Sequence, residues 1–370
     1  MVTRLYVDNF RCLSNFELRL DETNVLLGPN GSGKTSVLDI LRRIQALVAR
    51  GARIEEAFPA RDLSLLQDRE DQRFELDLET DGGSYRYILG IQHDRDRRRM
   101  RIRVETLEHD GNPIFSFRHG TAQLYHDDYA QGPEYPFDWS RSGVGSLNDR
   151  SDNRKLTRFR RAVANFVVAS PCPPLFEPET RSEDEFIQPF MQNFVGWYRQ
   201  AAHENMGAIS GLFKALGDVL PGFDSISLMA SGENTRALKV AFRRAADDGR
   251  LDVYGFGQLS DGQRALLALY CLVFLSSNRC ASLFLDEPDN YVALREIQPW
   301  LVAVGEHCGE TLEQAVVVSH HPVTIDYMAG AKGRWFYRDG NGPVRVSDQP
   351  DRSVDGVALS DAIVRGWDRK

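Results

Sequence analysis

The sequence predicts an α/β fold: a mixed sheet core with a glycine-rich loop at its edge, an antiparallel β lobe, an inserted helical lobe and no coiled coil. Three observations carry that expectation. The apolar strand Asn24-Val-Leu-Leu27 runs into Gly28-Pro-Asn-Gly-Ser-Gly-Lys-Thr35 and then into a helical pattern. Leu283 to Leu285 and Val316 to Val318 are short continuous apolar runs, the pattern of strands buried on both faces. Phe74 to Leu78 and Tyr85 to Leu89 alternate on either side of Asp81-Gly-Gly83, a hairpin signal.

Taken in order, residues 3–8 and 16–20 read as strands leading to the strand at 24–27, and a helix runs from about Lys34 to Ala49. After the hairpin at 81–83, a second strand pair flanks Asp110-Gly-Asn-Pro113. The stretch 120–153 is rich in Gly, Asp, Ser and Tyr without clear periodicity and reads as an extended loop. Helices are expected at 154–168, 184–203 and 207–219, with Pro171-Cys-Pro-Pro174 separating the first two. Strands near 224–230 and 237–243 return the chain to the core. Beyond His320 come a short helix, a hairpin from Trp335 to Gly342 and a final helix. The expected division is a nucleotide-binding core from 1–50 and 250–370, with 51–249 as the inserted β and helical lobe.

The glycine-rich loop fits G-x-x-x-x-G-K-[ST], which predicts a nucleotide phosphate site. Its glycines let backbone N–H groups of Asn30, Gly31, Ser32, Gly33 and Ser36 turn toward phosphate oxygens. Lys34 reaches the β- and γ-phosphates, the Thr35 hydroxyl is a candidate Mg²⁺ ligand, and the helix N-terminus faces the anion. The run at 283–285 ends in Asp286 and Glu287, which places two carboxylates at a sheet edge where Mg²⁺ and water would meet. The run at 316–318 delivers Ser319, His320 and His321 to the same edge. Ahead of both runs, Gly255-Phe-Gly-Gln-Leu-Ser-Asp-Gly-Gln-Arg264 precedes an apolar helix, so Ser260, Asp261, Gly262 and Gln263 sit where a helix N-terminus offers a second γ-phosphate site.

With these four motifs in this order, the chain resembles the ATP-binding-cassette ATPases, and within them the RecF/SMC/OLD-type branch. GPNGSGKT corresponds to Walker A, LSDGQ to the signature, LFLDEP to Walker B and SHHP to the switch histidine segment; the opening Leu5 to Leu13 resembles the start of RecF- and SMC-like heads. The resemblance implies a P-loop NTPase of ABC-ATPase head type, with ATP and Mg²⁺ as cofactors. It implies Asp286 as a metal ligand beside Thr35, Glu287 as the residue acting on water, and His320, rather than the adjacent His321, at the γ-phosphate. It also implies a homodimer on ATP binding, in which Ser260 to Gln263 complete the partner's site. Arg11 either touches nucleotide or makes a structural salt bridge. Asp289-Asn290 stand where the family has its D-loop, but Tyr291 departs from the family's usual histidine. No local motif marks a Q-loop glutamine, Gln92 included.

About 225 residues separate Lys34 from Ser260, more than a transporter cassette places there, and no sustained heptad fills them. A compact lobe is expected instead of an SMC-type coiled coil. OLD-type enzymes carry an acidic nuclease domain after the switch segment, and the roughly fifty residues following His320 leave no room for one by this reading, so the effector, a nuclease or a toxin, is expected as a separate chain. The alternatives are a RecF-like DNA repair ATPase and a transporter subunit.

Composition fits this reading. The 370 residues are 42% hydrophobic and 26% charged, sufficient for a real core. No apolar run approaches a membrane span and Met1 to Phe10 carries charges, so a cytoplasmic protein without membrane contact is expected. The five cysteines lack C-x-x-C spacing, which suggests reduced thiols. Net charge is −8, so any attraction for DNA must be local. Two clusters qualify: Arg95, Arg97, Arg98, Arg99, Arg101 and Arg103, alternating with apolar residues toward the end, and Arg154, Lys155, Arg158, Arg160 and Arg161 on a helix. Each is either a solvated face paired with nearby acids or a contact for DNA or an acidic partner.

Overall fold

A computed structural model describes residues 1–94, 99–244, 249–276, 281–350 and 357–365. The chain forms two compact units, one of residues 1–21, 26–166 and 334–349, the other of 22–25, 167–333 and 350–370. This does not follow the expected division at 50 and 250, and the reason is strand pairing. The N-terminal strand β1 (Val2–Asp8) lies between β2 (Phe16–Arg19) and β4 (Asp71–Thr80), so the first strands of the chain continue directly into the lobe sheet.

The first unit next contributes the end of β3 (Thr23–Leu27), α1 (Lys34–Ala49) and the short α2 (Ile54–Ala57). After β4 come β5 (Gly83–Asp94), β6 (Arg99–His109), β7 (Asn112–Arg118), β8 (Thr121–Tyr125) and β9 (Gln131–Pro136), then α3 (Gly143–Ser146) and α4 (Arg154–Ala164). The eight strands run in the order β2-β1-β4-β5-β6-β7-β8-β9. Register keeps one face apolar: Leu5 pairs with Leu76 and Val7 with Phe74, and all four are fully buried. Phe58 and Phe74 pack at a tilt with centroids 4.6 Å apart, and Phe10 meets both edge-on. Each such side chain contributes about 1.5–3 kcal/mol by burial. The amide of Gln45, on α1, donates to the carbonyls of Ala164 (2.9 Å) and Phe166 (2.6 Å), fastening the end of α4.

Glu105 is the least expected core residue. Fully buried on β6, it accepts from Tyr87 Oη (2.8 Å), Ser142 Oγ (2.5 Å) and the Gly143 amide (2.7 Å), and so moors α3 to the sheet. Burial pushes its carboxyl above the ordinary value, although these donors pull the other way.

The second unit takes in all but the first residue of β10 (Phe166–Ala169) and holds β11 (Glu179–Thr180), α5 (Phe194–Glu204), α6 (Ile209–Val219), β12 (Phe223–Gly232), β13 (Thr235–Arg243) and β14 (Leu251–Gly255). Then follow α7 (Asp261–Leu275), β15 (Ser282–Asp286), α8 (Leu294–His307), β16 (Gln314–Val318) and α9 (Pro322–Lys332). The strands β17 (Gly333–Tyr337) and β18 (Arg345–Ser347) lie mainly with the first unit, and α10 (Leu359–Val364) with the second. β15 and β16 are parallel, with Asp286 opposite Val318, and β10 lies beside β15. The start of β3 adjoins β16, where the Ala315 amide donates to the Glu22 carbonyl at 2.8 Å. β16 is buried at every position, as its all-apolar Ala315 to Val318 run requires. Helix α7 is buried from Ala265 to Val273, which explains why its sequence is apolar nearly all round.

Three expectations are corrected. Residues 120–153 are not a loop: β8 and β9 form a strand pair with Ala122 opposite Tyr135, and α3 follows. The helix expected at 154–168 stops at Ala164, because Phe166-Val-Val-Ala169 is buried on both faces as β10. The helix expected at 184–203 begins only at Phe194. Before it, Asn193 Nδ2 donates to the Phe186 carbonyl and its Oδ1 accepts from the Gln188 amide, and Met191 takes φ 58°, so the chain turns instead of coiling. Among the described residues the longest helix is α1, at 16 residues, and no helix is long and apolar enough to cross a membrane. Cys12, Cys172, Cys271 and Cys308 are free thiols, while Cys280 lies outside the described residues.

Candidate functional site

In the first unit the loop after β3 has the shape the phosphate motif demands. Gly28 takes φ 140°, and a Cβ there would lie 2.3 Å from the Phe336 carbonyl oxygen, so only glycine lets β17 approach this closely. Gly33, at φ 90°, is the N-cap of α1. Asn30 and Gly31 are exposed at the tip, and a Cβ added to Gly31 would meet nothing within 4 Å. The ammonium of Lys34, nearly buried, donates to the carbonyls of Gly28 (2.7 Å) and Pro29 (3.0 Å). Ser32 Oγ is buried without a hydrogen-bond partner. A buried orphan hydroxyl and an open loop tip at a helix N-terminus, beside a lysine that donates to the loop's own carbonyls, fit a phosphate chain, which would supply the acceptor that Ser32 Oγ lacks. Thr35 is exposed in the first turn of α1 and Ser36 is buried behind it.

Arg11 is engaged in the same unit. Its guanidinium meets Asp39 at 2.9 Å and Asp62 at 2.8 Å and lies 5.0 Å from the Phe10 ring centroid. Arg43 bridges the same two carboxylates at 2.9 Å each. Burial acts to raise the Asp39 carboxyl, but Arg43, Arg42 and Arg11 outweigh it and hold the group below its ordinary value. This is the salt-bridge alternative for Arg11.

In the second unit, parallel pairing brings the ends of β15 and β16 together. Asp286 and Glu287 are half-buried, His320 is exposed and His321 caps the start of α9. The Glu287 amide donates to the Val318 carbonyl at 2.8 Å, and its carboxylate accepts from Asn290 Nδ2 at 2.7 Å. Glu287 also takes φ 48°, a left-handed conformation that costs a non-glycine residue about 1–2 kcal/mol. Strain at the one carboxylate expected to act on water is an observation of functional weight.

Beneath this edge lies a junction that the sequence reading named only as the D-loop. Asp289, 2% exposed, accepts from Ser319 Oγ (2.5 Å) and Thr324 Oγ1 (2.6 Å), and Ser319 Oγ accepts from the His321 amide (2.9 Å). One carboxylate therefore ties the segment after Glu287 to the segment around His320. Thr324 was missed because nothing in Pro322-Val-Thr324 marks a buried hydroxyl.

Signature residues form the start of α7. Ser260, exposed, accepts from the Gln263 amide (3.3 Å), and Gln263 Oε1 accepts from the Ser260 amide (3.0 Å), a reciprocal cap. Asp261 pairs with Arg264, which also donates to the Pro173 carbonyl. A Cβ on Gly262 would come within 3.1 Å of the Tyr291 carbonyl oxygen, so this loop packs on the D-loop segment. The loop thus presents an exposed hydroxyl at the N-terminus of a 15-residue helix.

The basic clusters part ways. Arg99, Arg101 and Arg103 are exposed on one face of β6, with Arg101 bonded to Gln92 and Arg103 near Asp71 at 3.4 Å. Trp139, 44% exposed, stands among them between clefts of about 330 and 510 Å³. Arg95, Arg97 and Arg98 lie outside the described residues. On α4, Arg160 and Arg161 pair with Asp149, and Lys155 lies 3.7 Å from the Tyr129 ring centroid. No group of three or more metal-ligating side chains occurs among the described residues.

Comparison with known proteins agrees with this geometry. The chain superposes on the SMC head solved bound to the C-winged helix domain of ScpA with a TM-score of 0.58 and 13% identity, covering 98% of this chain and 99% of that one. An SMC head domain from Thermotoga maritima gives 0.49 at 13% identity over 94% of this chain and 98% of that one. A stretch of 38 residues is 50% identical to an OLD nuclease of Thermus scotoductus, spanning 10% of this chain and 7% of that protein. Residues 23–326 match the family described as "AAA domain, putative AbiEii toxin, Type IV TA system". The chain thus belongs to that AAA-domain family and is a RecF/SMC/OLD-like ATPase with the P-loop fold of an SMC head.

Proposed function

We propose that the protein binds and hydrolyses ATP with Mg²⁺, that two copies sandwich two ATP molecules, and that this dimer regulates a separate effector, a nuclease or toxin, in bacterial phage defence. A cytoplasmic location belongs to the same proposal. The observation that carries it is the phosphate loop, with Ser32 Oγ buried and orphaned, Lys34 on loop carbonyls and Gly31 open.

In this reading Lys34 and the loop amides hold the phosphates. Thr35 and Asp286 are the residues that would hold Mg²⁺, which when bound neutralises phosphate charge. Glu287 orients the attacking water and polarises it as a general base, while His320 contacts the γ-phosphate. Ser260 and the start of α7 complete the site of a second copy.

Glu287→Gln tests the proposal. It keeps the phosphate cradle and removes the base, so it should bind ATP, hydrolyse it slowly and accumulate a dimer visible by light scattering. Normal turnover would rule out Glu287, and a wholly monomeric variant at every ATP concentration would rule out the sandwich. A second reading, DNA binding as in RecF-like repair ATPases, is favoured by the exposed arginines of β6 around Trp139.

A further inference from the structure

We propose that Arg338 is a second cation of the nucleotide phosphate site, carried to the tip of the phosphate loop by the hairpin of β17 and β18. The proposal rests on the ATP reading above and adds a residue that none of the four motifs contains.

Arg338 is half-buried, just past the end of β17. Its Nε donates to the Gly342 carbonyl at 2.9 Å and its Nη2 to the Asn341 carbonyl at 3.0 Å. Its Nη1 reaches across to the Gly31 carbonyl at 3.5 Å, the limit of hydrogen-bond range. All three acceptors are neutral. Among the described residues Arg338 makes no ion pair, and neither does Arg345 of the same hairpin, which bonds to the Ser14 and Val344 carbonyls, whereas Arg4 pairs with Glu17 and Glu75, Arg11 with Asp39 and Asp62, and Arg334 with Asp21. The neighbouring Asp339 is exposed and also makes no ion pair among the described residues, its carbonyl accepting the Gly342 amide to close the turn.

The hairpin is held against the loop at both ends. Phe336 touches Gly28 so closely that a Cβ would clash, and Val344 donates its amide to Cys12 at 3.2 Å while its side chain borders Gly33. The guanidinium is therefore delivered by backbone packing, not by a flexible tether. A guanidinium is weakly hydrated and presents a fork that matches phosphate oxygens, so a triphosphate would replace the long Gly31 contact with a charge-assisted bond. A cation with no ion pair among the described residues, set beside an anion loop, adds to the attraction that Lys34 exerts.

The test is calorimetric titration of the full chain with ATP and Mg²⁺. Arg338→Gln keeps an amide donor for the carbonyls but removes the charge; Arg338→Lys keeps the charge. The glutamine variant should bind about tenfold more weakly, with a shallower salt dependence, and the lysine variant within about threefold of the original. Thermal midpoints measured without nucleotide should stay unchanged in both. Glutamine-variant affinity within twofold of the original would overturn the proposal. So would a lysine variant as weak as the glutamine one when both are as stable as the original protein. If the unsubstituted protein itself fails to bind ATP, the nucleotide reading falls, a result distinct from either.

Discussion

Replacing Asp289 by alanine removes the acceptor of two buried hydroxyls, Ser319 Oγ at 2.5 Å and Thr324 Oγ1 at 2.6 Å. Both donors belong to residues with no exposure, so water does not readily take the carboxylate's place. A hydrogen bond to a charged group contributes about 1.5–3 kcal/mol, and two together give about 3–6 kcal/mol. Relaxation around the small cavity moves the expected loss toward the lower end, about 3 kcal/mol. Urea unfolding followed by tryptophan fluorescence measures it as a lower midpoint at unchanged slope. Both hydroxyls reach the same carboxylate oxygen, so Asp289→Asn keeps an acceptor for them but removes the charge and should lose about 1–2 kcal/mol. Combining Asp289→Ala with Ser319→Ala and Thr324→Val removes the stranded hydroxyls and should restore about 2 kcal/mol relative to additive losses. Turnover should fall in Asp289→Asn as well, because the carboxylate holds Glu287 and His320 through their own segments. An Asp289→Ala chain within about 0.5 kcal/mol of the original would refute the argument, since buried partners cannot be stranded at so small a cost.

Lys34→Ala should abolish ATP binding by titration, because it removes the cation facing the β- and γ-phosphates; unchanged affinity would sink the phosphate-loop assignment. Ser260→Arg should block hydrolysis while leaving ATP binding to a single copy intact. Mixed with Lys34→Ala chains, it should recover part of the activity through one intact composite site, and no recovery where heterodimers demonstrably form would argue against action in trans. Reversing Arg99, Arg101 and Arg103 to glutamate should weaken DNA binding and flatten its salt slope without changing ATP affinity. An original protein that binds neither single strands nor duplex at low salt would leave these residues as a solvated face.

Much of the framework that carries the four motifs was legible, because those patterns set residue types at fixed spacing beside strands and helices. The limits of α1, Lys34 to Ala49, follow from a glycine N-cap at one end and Gly51 at the other. Val316 to Val318 could be read as a buried strand because only a strand hidden on both faces tolerates so unbroken an apolar run. The same logic misled at Phe166-Val-Val-Ala169, where four apolar residues following a helix looked like its last turn. Periodicity cannot separate the two over so short a run. At 120–153 the polar strands β8 and β9 bury only alternate residues of one strand, so their pattern is faint. Thr324 matters through a partner distant in sequence, Asp289, and a single residue of that kind carries no local signal.

The left-handed backbone at Glu287 has a consequence for anyone breeding hardier versions of this protein. Glycine or asparagine adopts that conformation with less penalty, so either substitution stands to gain up to about 1 kcal/mol of fold stability. A library screened for heat resistance alone will therefore enrich chains that have discarded the glutamate. Under the role proposed for Glu287, survivors at this codon would look like successes in the melting assay and be silent in turnover. Screening on both properties together would keep the position fixed, and the rate at which it drifts when turnover is left out would measure how much of the fold's stability is set aside for chemistry.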